Sequence, residues 1–349
     1  MQQCWEDLRV TVPGAPASPA SHPGADDGVP DSLERLLVLY HALYLTRQAE
    51  ERLEEFHDQG RIPGHFHRSL GQEGGAVGAT MALRRRTDGT GDLVAPTPRT
   101  TGALFVMGAT PLEYLRQCLG RAGAPTGGRD PGPGWTDLDR GLLAPLPAMG
   151  NLVEVMAGVT LALKMRAEDR VGMVFTGDGA TSTGAWHEGL NFAAVRRCPL
   201  ILVVEANQWA FSTPTHRQTR IQSFLERCAG YGIQGVQVDG TDAVRVHEVA
   251  RAAVERARAG EGVQVVELGY YRLSGHDLDD DQAYVDPAEL ERWRARDPLQ
   301  LLRDRLLAAG AGDTSRIREL EETIRDEVVE AATEALASEF PQASPEVEG

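Results

Sequence analysis

The sequence predicts an α/β fold in which helices cover both faces of a parallel sheet. Four short β-branched runs, VGMVFT (171–176), LILVVE (200–205), IQGVQV (233–238) and VQVVEL (263–268), are bounded by Gly, Pro, Asp or Asn. Helical patterns at about 184–196, 221–230 and 242–258 separate them. Strict strand–helix alternation is the mark of a parallel sheet, whose crossovers place helices on its faces. At 349 residues and 42% hydrophobic content the chain is long enough for such a core without disulfide support.

The elements are justified in chain order. Residues 1–31 are rich in Pro, Ala, Gly, Ser and Asp without apolar periodicity and read as a flexible tail before a domain spanning 32–340. From Ser32, LERLLVLYHALYLTRQAEERLEEFHDQG has apolar residues at helical spacing and stops at Gly60, a candidate C-cap. The small-residue stretch from Gln72 to Leu83 predicts a second helix able to pack closely. Residues 120–148 are dense in Gly and Pro and lack periodicity, as in a functional or disordered loop. The four strands and their helices follow. Pro287 to about Ser338 is helical and charged, and 341–349 reads as a frayed end.

Composition excludes several functions. The net charge of −16 repels phosphate backbones and anionic membrane surfaces, so nucleic acid is not an expected partner. No run approaches the ~18 apolar residues of a membrane span. No basic segment followed by an apolar stretch opens the chain, so the expected location is cytoplasmic. Cys4, Cys118, Cys198 and Cys228 are scattered, without the spacing of a zinc site. Lys164 is the sole lysine and lies near the end of an apolar helical pattern, which argues against Schiff-base chemistry.

The chemistry concentrates where strand 171–176 ends. Gly177, Asp178, Gly179 and Ala180 lead into TSTGAWHEGLNFAAV, a helix start. Ligands of open α/β sheets bind beyond the carboxyl ends of the strands, and a helix N-terminus offers free N–H groups to an anion. Glycines beside an aspartate let a diphosphate approach the backbone while the carboxylate reaches a bridging cation. By itself GDG is also an ordinary turn. Asn207 follows Asp178 by 29 residues, so one helix and one strand return it to the same sheet edge. Carboxylate and amide oxygens suit magnesium, although an asparagine there also suits a left-handed turn.

GDGATSTGAWHEGLNFAAVRRCPLILVVEANQWAFSTP resembles the thiamine-diphosphate motif of the alpha subunits of the decarboxylating component of pyruvate, branched-chain 2-oxo acid and acetoin dehydrogenases. The likeness extends through GHFHRSLGQEGGAVGATMAL, VDGTD and YYRLSGHDLDDDQAYV to ARDPLQ, about residues 35 to 310. It implies a thiamine-diphosphate-binding fold carrying the diphosphate-binding half-site. A beta subunit would complete an α2β2 assembly, and a lipoyl acyltransferase core would accept the acyl group taken from a 2-oxo acid. On this resemblance Asp178, Asn207 and the carbonyl of Trp209 are magnesium ligands. Gly177, Gly179, Ala180 and Arg99 belong to the diphosphate site, and Met149 lends a carbonyl to the thiamine. His276 lies over the diphosphate and reacting centre, and His67 faces the active site, with His65 as its close neighbour.

The sequence departs from that pattern at four places. Pro98 precedes Arg99 where relatives have Tyr or His, so a donor is lost. Asp277 stands where eukaryotic members carry a regulatory serine. The loop GGRDPGPGW (127–135) lacks the expected histidine, and Glu154 replaces a proline. Loss of the loop histidine also fits carboligation to an aldehyde, and a degenerate scaffold subunit is a third reading. A nicotinamide site ranks last, because no GxGxxG follows a strand.

Overall fold

The computed structural model describes residues 33–146, 148–310 and 314–342, so the expected tail at 1–31 and residues 343–349 of the expected frayed end lie outside the described residues. The entry helix α1 (Leu33–Asp58) ends as its sequence predicts: Gly60 adopts φ +66°, and the Arg61 N–H closes the turn onto the Phe56 carbonyl at 2.9 Å. Helix α2 (Glu73–Thr80) is the small-residue helix. The remaining principal helices are α3 (Thr101–Val106), α4 (Pro111–Cys118), α5 (Asn151–Met165), α6 (Gly184–Arg196), α7 (Thr215–Gln218), α8 (Leu225–Ala229), α9 (Ala243–Arg256), α10 (Pro287–Arg294), α11 (Pro298–Ala308) and α12 (Thr314–Ala337).

Five strands, β1 (Leu93–Ala95), β2 (Gly172–Gly177), β3 (Leu200–Ala206), β6 (Gly235–Asp239) and β7 (Gln264–Gly269), form one sheet in the order β1-β2-β3-β7-β6, with every pairing parallel. A two-stranded ribbon, β4 (Trp209–Ala210) and β5 (Thr213–Pro214), sits beyond the end of β3. The four expected strands are present with ends shifted by one or two residues. Strand β1 was not expected; at three residues it is too short to display a period. The expected helix at 221–230 contracts to α8 because Glu226 accepts the Gln222 and Ser223 N–H groups, holding 222–223 as a turn.

Alternation of side chains along the strands feeds two cores. Met173, Phe175, Ile201, Val203, Val266 and Leu268 belong to one core with residues of α1, α9 and α12, whereas Val174, Leu202, Val204 and Val265 face α5 and α6. Both faces are therefore apolar, and the strand runs read as continuously hydrophobic. The Gly/Pro stretch 120–148 is held by Gln117, which bonds the Asp130 carbonyl at 2.5 Å and Thr126 at 3.0 Å, and by buried Trp135. Among the described residues no helix is long and apolar enough to cross a membrane.

Helix α2 packs as its composition requires. A Cβ on Gly78 would come within 2.5 Å of the Ala243 carbonyl oxygen and 3.0 Å of Val246 Cβ. On α5, Gly158 has open space around its Cα. Overpacking typically costs about 1–3 kcal/mol, and glycine in a helix costs about 0.5–1 kcal/mol relative to alanine. Gly78→Val is therefore expected to lower the stability of the chain by about 2 kcal/mol or more, and Gly158→Ala to raise it slightly. Denaturant melts of the two variants check both signs.

Candidate active site

The site forms where neighbouring parallel strands end together. Gly177, the last residue of β2, pairs with Glu205 of β3, so Asp178 and Asn207 leave the sheet side by side. Both side chains are buried. Asp178 Oδ1 accepts the Gly179 N–H at 2.7 Å and Oδ2 accepts the Thr215 hydroxyl at 2.9 Å. Burial pushes the Asp178 carboxyl pKa up, against the opposing effects of Thr215, Gly179 and Arg272. Asn207 donates through Nδ2 to Gln72 Oε1 at 2.9 Å, and its Oδ1 accepts the Trp209 N–H at 3.2 Å. The left-handed residue of this turn is Gln208, at φ +73°, rather than Asn207.

The β4–β5 ribbon brings Trp209 against this turn and hands the chain back to Thr215, whose N–H donates to the Gln208 carbonyl at 3.0 Å. Gly179 is sterically required here, since a Cβ would meet Ala210 Cβ at 2.5 Å, whereas a Cβ on Gly177 would meet nothing. Residues Gly179–Ser182 form a 3-10 turn, and Ala180 is buried within it. Its carbonyl accepts the Thr183 N–H at 3.1 Å and the Thr183 hydroxyl at 2.8 Å, and Thr183 then caps α6. Gly150, at φ +86°, packs against the Thr183 hydroxyl, which sets half-exposed Met149 beside the same turn.

Arg99 reaches the site from the N-terminal side of α3. It donates to the Arg68 carbonyl at 2.9 Å, the Gly275 carbonyl at 3.4 Å and the His276 carbonyl, and no ion pair to it is found among the described residues. Burial, together with neighbouring Arg272, pushes its pKa down to about 10. Arg272 is itself buried; it donates to the Phe211 carbonyl at 2.8 Å and to the Tyr284 hydroxyl. Arg272 also has the Asp280 carboxylate at 3.8 Å, whereas the half-buried Arg99 is held by neutral carbonyl oxygens and keeps charge that an anion would balance.

His67 and His276 come together with ring centroids 4.8 Å apart. His67 Nδ1 lies 2.5 Å from the His276 carbonyl oxygen, which Arg99 also contacts. A carbonyl only accepts, so neutral His67 carries its proton on Nδ1 and leaves Nε2 as the acceptor. His65 is exposed and lies 3.3 Å from the Asp277 carboxylate. The His276 ring packs on Phe211 at 4.3 Å, and its backbone N–H is held by Asp280 at 2.6 Å. Burial, then Arg99, His67 and Arg272, lower its pKa from 6.5 to about 4. Burial also lowers that of His67. Glu205, two residues before Asn207, accepts from Thr97 Oγ1 and the Tyr270 hydroxyl, each at 2.9 Å, and burial raises its pKa.

Gln72, Thr215, Glu205 and Arg272 had not been singled out from the sequence. Arg272 lies four residues before His276, where a basic side chain close to a candidate site histidine was a usable signal. Gln72 and Thr215 gave none, because their partners are 135 and 37 residues away in the chain.

An open parallel sheet with a carboxylate, an amide and the arginines Arg99 and Arg272 at its carboxyl edge places this chain in the class of open α/β proteins whose ligands bind beyond the strand ends. The chain belongs to the dehydrogenase E1 component family, whose model matches residues 40–344. It is 34% identical over 319 residues to the alpha subunit of acetoin:2,6-dichlorophenolindophenol oxidoreductase of Cupriavidus necator, covering 91% of this chain and 94% of the relative. It is 33% identical over 313 residues to the 2-oxoisovalerate dehydrogenase subunit alpha of Bacillus subtilis, covering 88% and 92%. Against the pyruvate dehydrogenase E1 component subunit alpha of Rhizobium meliloti the identity is 30% over 316 residues, covering 90% and 88%.

The depressed His276 pKa fixes a pH response. The folded loop holds the ring neutral while the unfolded chain takes up a proton near 6.5, so the loop's contribution to stability is present above pH 6.5 and is lost as pH falls toward 4. In an NMR titration His276 should show a midpoint near 4; a midpoint at 6.5 would mean that the ring is not enclosed as described.

Proposed function

We propose that this chain is the alpha subunit of a thiamine-diphosphate-dependent 2-oxo acid dehydrogenase E1 component, acting with a beta subunit in an α2β2 assembly and passing its acyl product to a lipoyl group. The observation that carries this reading is the juxtaposition of Asp178 and Asn207 at adjoining strand ends, beside Arg99 and Arg272, in a chain of this family. Its relatives bear the names of alpha subunits of acetoin, 2-oxoisovalerate and pyruvate enzymes, which supports a 2-oxo acid or closely related substrate and a second kind of subunit. Cys118, Cys198 and Cys228 are buried and free, which suits a reducing, cytoplasmic setting.

The residues fit the cofactor. Asp178 and the Asn207 amide oxygen offer hard ligands for magnesium, with the Trp209 carbonyl as a third. The Asp178 carboxylate engages the Gly179 N–H in this structure; a cation taking that oxygen would free the Gly179 donor for a diphosphate, alongside that of Ala180. Arg99, with Arg272 behind it, adds positive charge in a fork geometry suited to phosphate oxygens. When bound, thiamine diphosphate supplies the electron sink for decarboxylation. The chain's own part is to orient it, to exclude water beneath the His276 loop, and to keep His67 Nε2 unprotonated at neutral pH, ready to accept a proton. Met149 stands at the exposed rim, where the thiamine end would meet the chain.

Asp178→Ala in the assembled complex is expected to weaken thiamine diphosphate binding at fixed magnesium by at least about 100-fold, since even outer partners of a metal ligand are typically worth 10–100-fold. His276→Ala should keep most of the affinity and lose turnover instead. Calorimetric titration paired with decarboxylation assays separates the two, and wild-type affinity in Asp178→Ala would overturn the assignment. The purified chain without its partner should not turn over 2-oxo acids; robust activity of the single chain would show that it holds a complete site.

A further inference from the structure

We infer that Arg227 is a positioning residue for the diphosphate-binding turn, an inference that rests on the function proposed above. Arg227 lies on α8, remote in sequence from Asp178, yet its Nη1 donates to the Thr181 carbonyl at 2.6 Å, the Thr181 hydroxyl at 2.7 Å and the Ser182 hydroxyl at 3.3 Å. The Thr181 hydroxyl in turn donates to the Asp178 carbonyl at 2.6 Å. A continuous hydrogen-bonded chain thus runs from the guanidinium through a fully buried threonine to the backbone of the candidate metal ligand. It braces the outer side of the 3-10 turn whose inner side presents the Gly179 and Ala180 N–H groups.

Two further features set Arg227 apart from an ordinary surface staple. Its acceptors are neutral, and no ion pair to it is found among the described residues; adjacent Glu226 is turned away to hold Gln222 and Ser223. Its guanidinium also lies 5.7 Å from the ring centroid of buried Phe224, an apolar wall on its other side. A cation held this way, behind a turn made to face a diphosphate, both fixes the donors and adds an uncancelled favourable field. A brace that acts on the bound anion in the ground state and in the reaction alike should affect cofactor affinity rather than the chemical step.

The test uses the full chain assembled with its partner subunit and reads thiamine diphosphate affinity by calorimetry at fixed magnesium. Arg227→Met keeps the stem and removes charge and donors; it should weaken binding about tenfold or more while kcat at saturating cofactor stays within about twofold. Arg227→Lys, which restores charge with a single donor point, should recover part of the loss. Thr181→Val breaks the same chain at the hydroxyl and should shift affinity in the same direction, which keeps the test decisive if Arg227→Met fails to fold. Hydrogen exchange at residues 179–183 without cofactor should be faster in Arg227→Met. Wild-type affinity in Arg227→Met, or in Thr181→Val if the first does not fold, overturns the inference, as does a loss confined to kcat. Absence of thiamine diphosphate binding by the wild-type complex itself would instead bring down the proposed function, before any variant is compared.

Discussion

The parallel pairing of β2 with β3 is the constraint on which the site depends. Its register sets Gly177 opposite Glu205, and every candidate ligand position follows from that match. A slip of β3 by one residue would turn Leu202 and Val204 away from α5 and α6 and would carry Asn207 out of step with Asp178. Because apolar cores lie against both faces, the register is specified by burial on each side of the sheet. The precision of the polar site is thus inherited from hydrophobic packing several residues upstream.

Beyond the strand ends, several buried polar groups are satisfied by long-range partners. Thr215 holds one oxygen of Asp178, Gln72 holds the Asn207 amide, and Thr97 and Tyr270 hold Glu205. Each partner comes from a different segment, so the site is rigid only once the whole fold is assembled. Helix α2 makes this possible: its glycines let the backbone lie close to α9 and to Tyr270, which places Gln72, at its start, within reach of β3.

Charge is distributed unevenly. The chain carries a net −16, yet Arg99, Arg227 and Arg272 surround the strand ends with backbone carbonyls and hydroxyls as their principal partners. Guanidiniums suit this arrangement because they remain charged when half-buried and can spread their donors over several neutral oxygens. The acidic segment after His276 is engaged locally: Asp280 holds the His276 N–H, and Asp277 faces His65. Asp280 also lies 3.8 Å from Arg272, with the Tyr284 hydroxyl between them, so the acidic loop is tied to the basic group beneath it.

The alternation of β-branched runs with helical patterns determined the parallel α/β architecture, and turn chemistry at Gly177–Ala180 and Gly60 determined where elements begin and end, because these are local properties of the backbone. The spacing from Asp178 to Asn207 placed the two at one sheet edge for the same reason: one helix and one strand have fixed lengths. Only the tertiary structure decided that Gln72 orients Asn207, that Thr215 returns to Asp178, that His67 rather than His65 meets His276, and that Arg227 braces the turn. These pairings join residues tens to hundreds of positions apart, and no local pattern encodes them, since each partner is chosen by where packing brings it. The three-residue strand β1 was hidden for a related reason. Its membership in the sheet is conferred by hydrogen bonding to β2 and not by any period of its own.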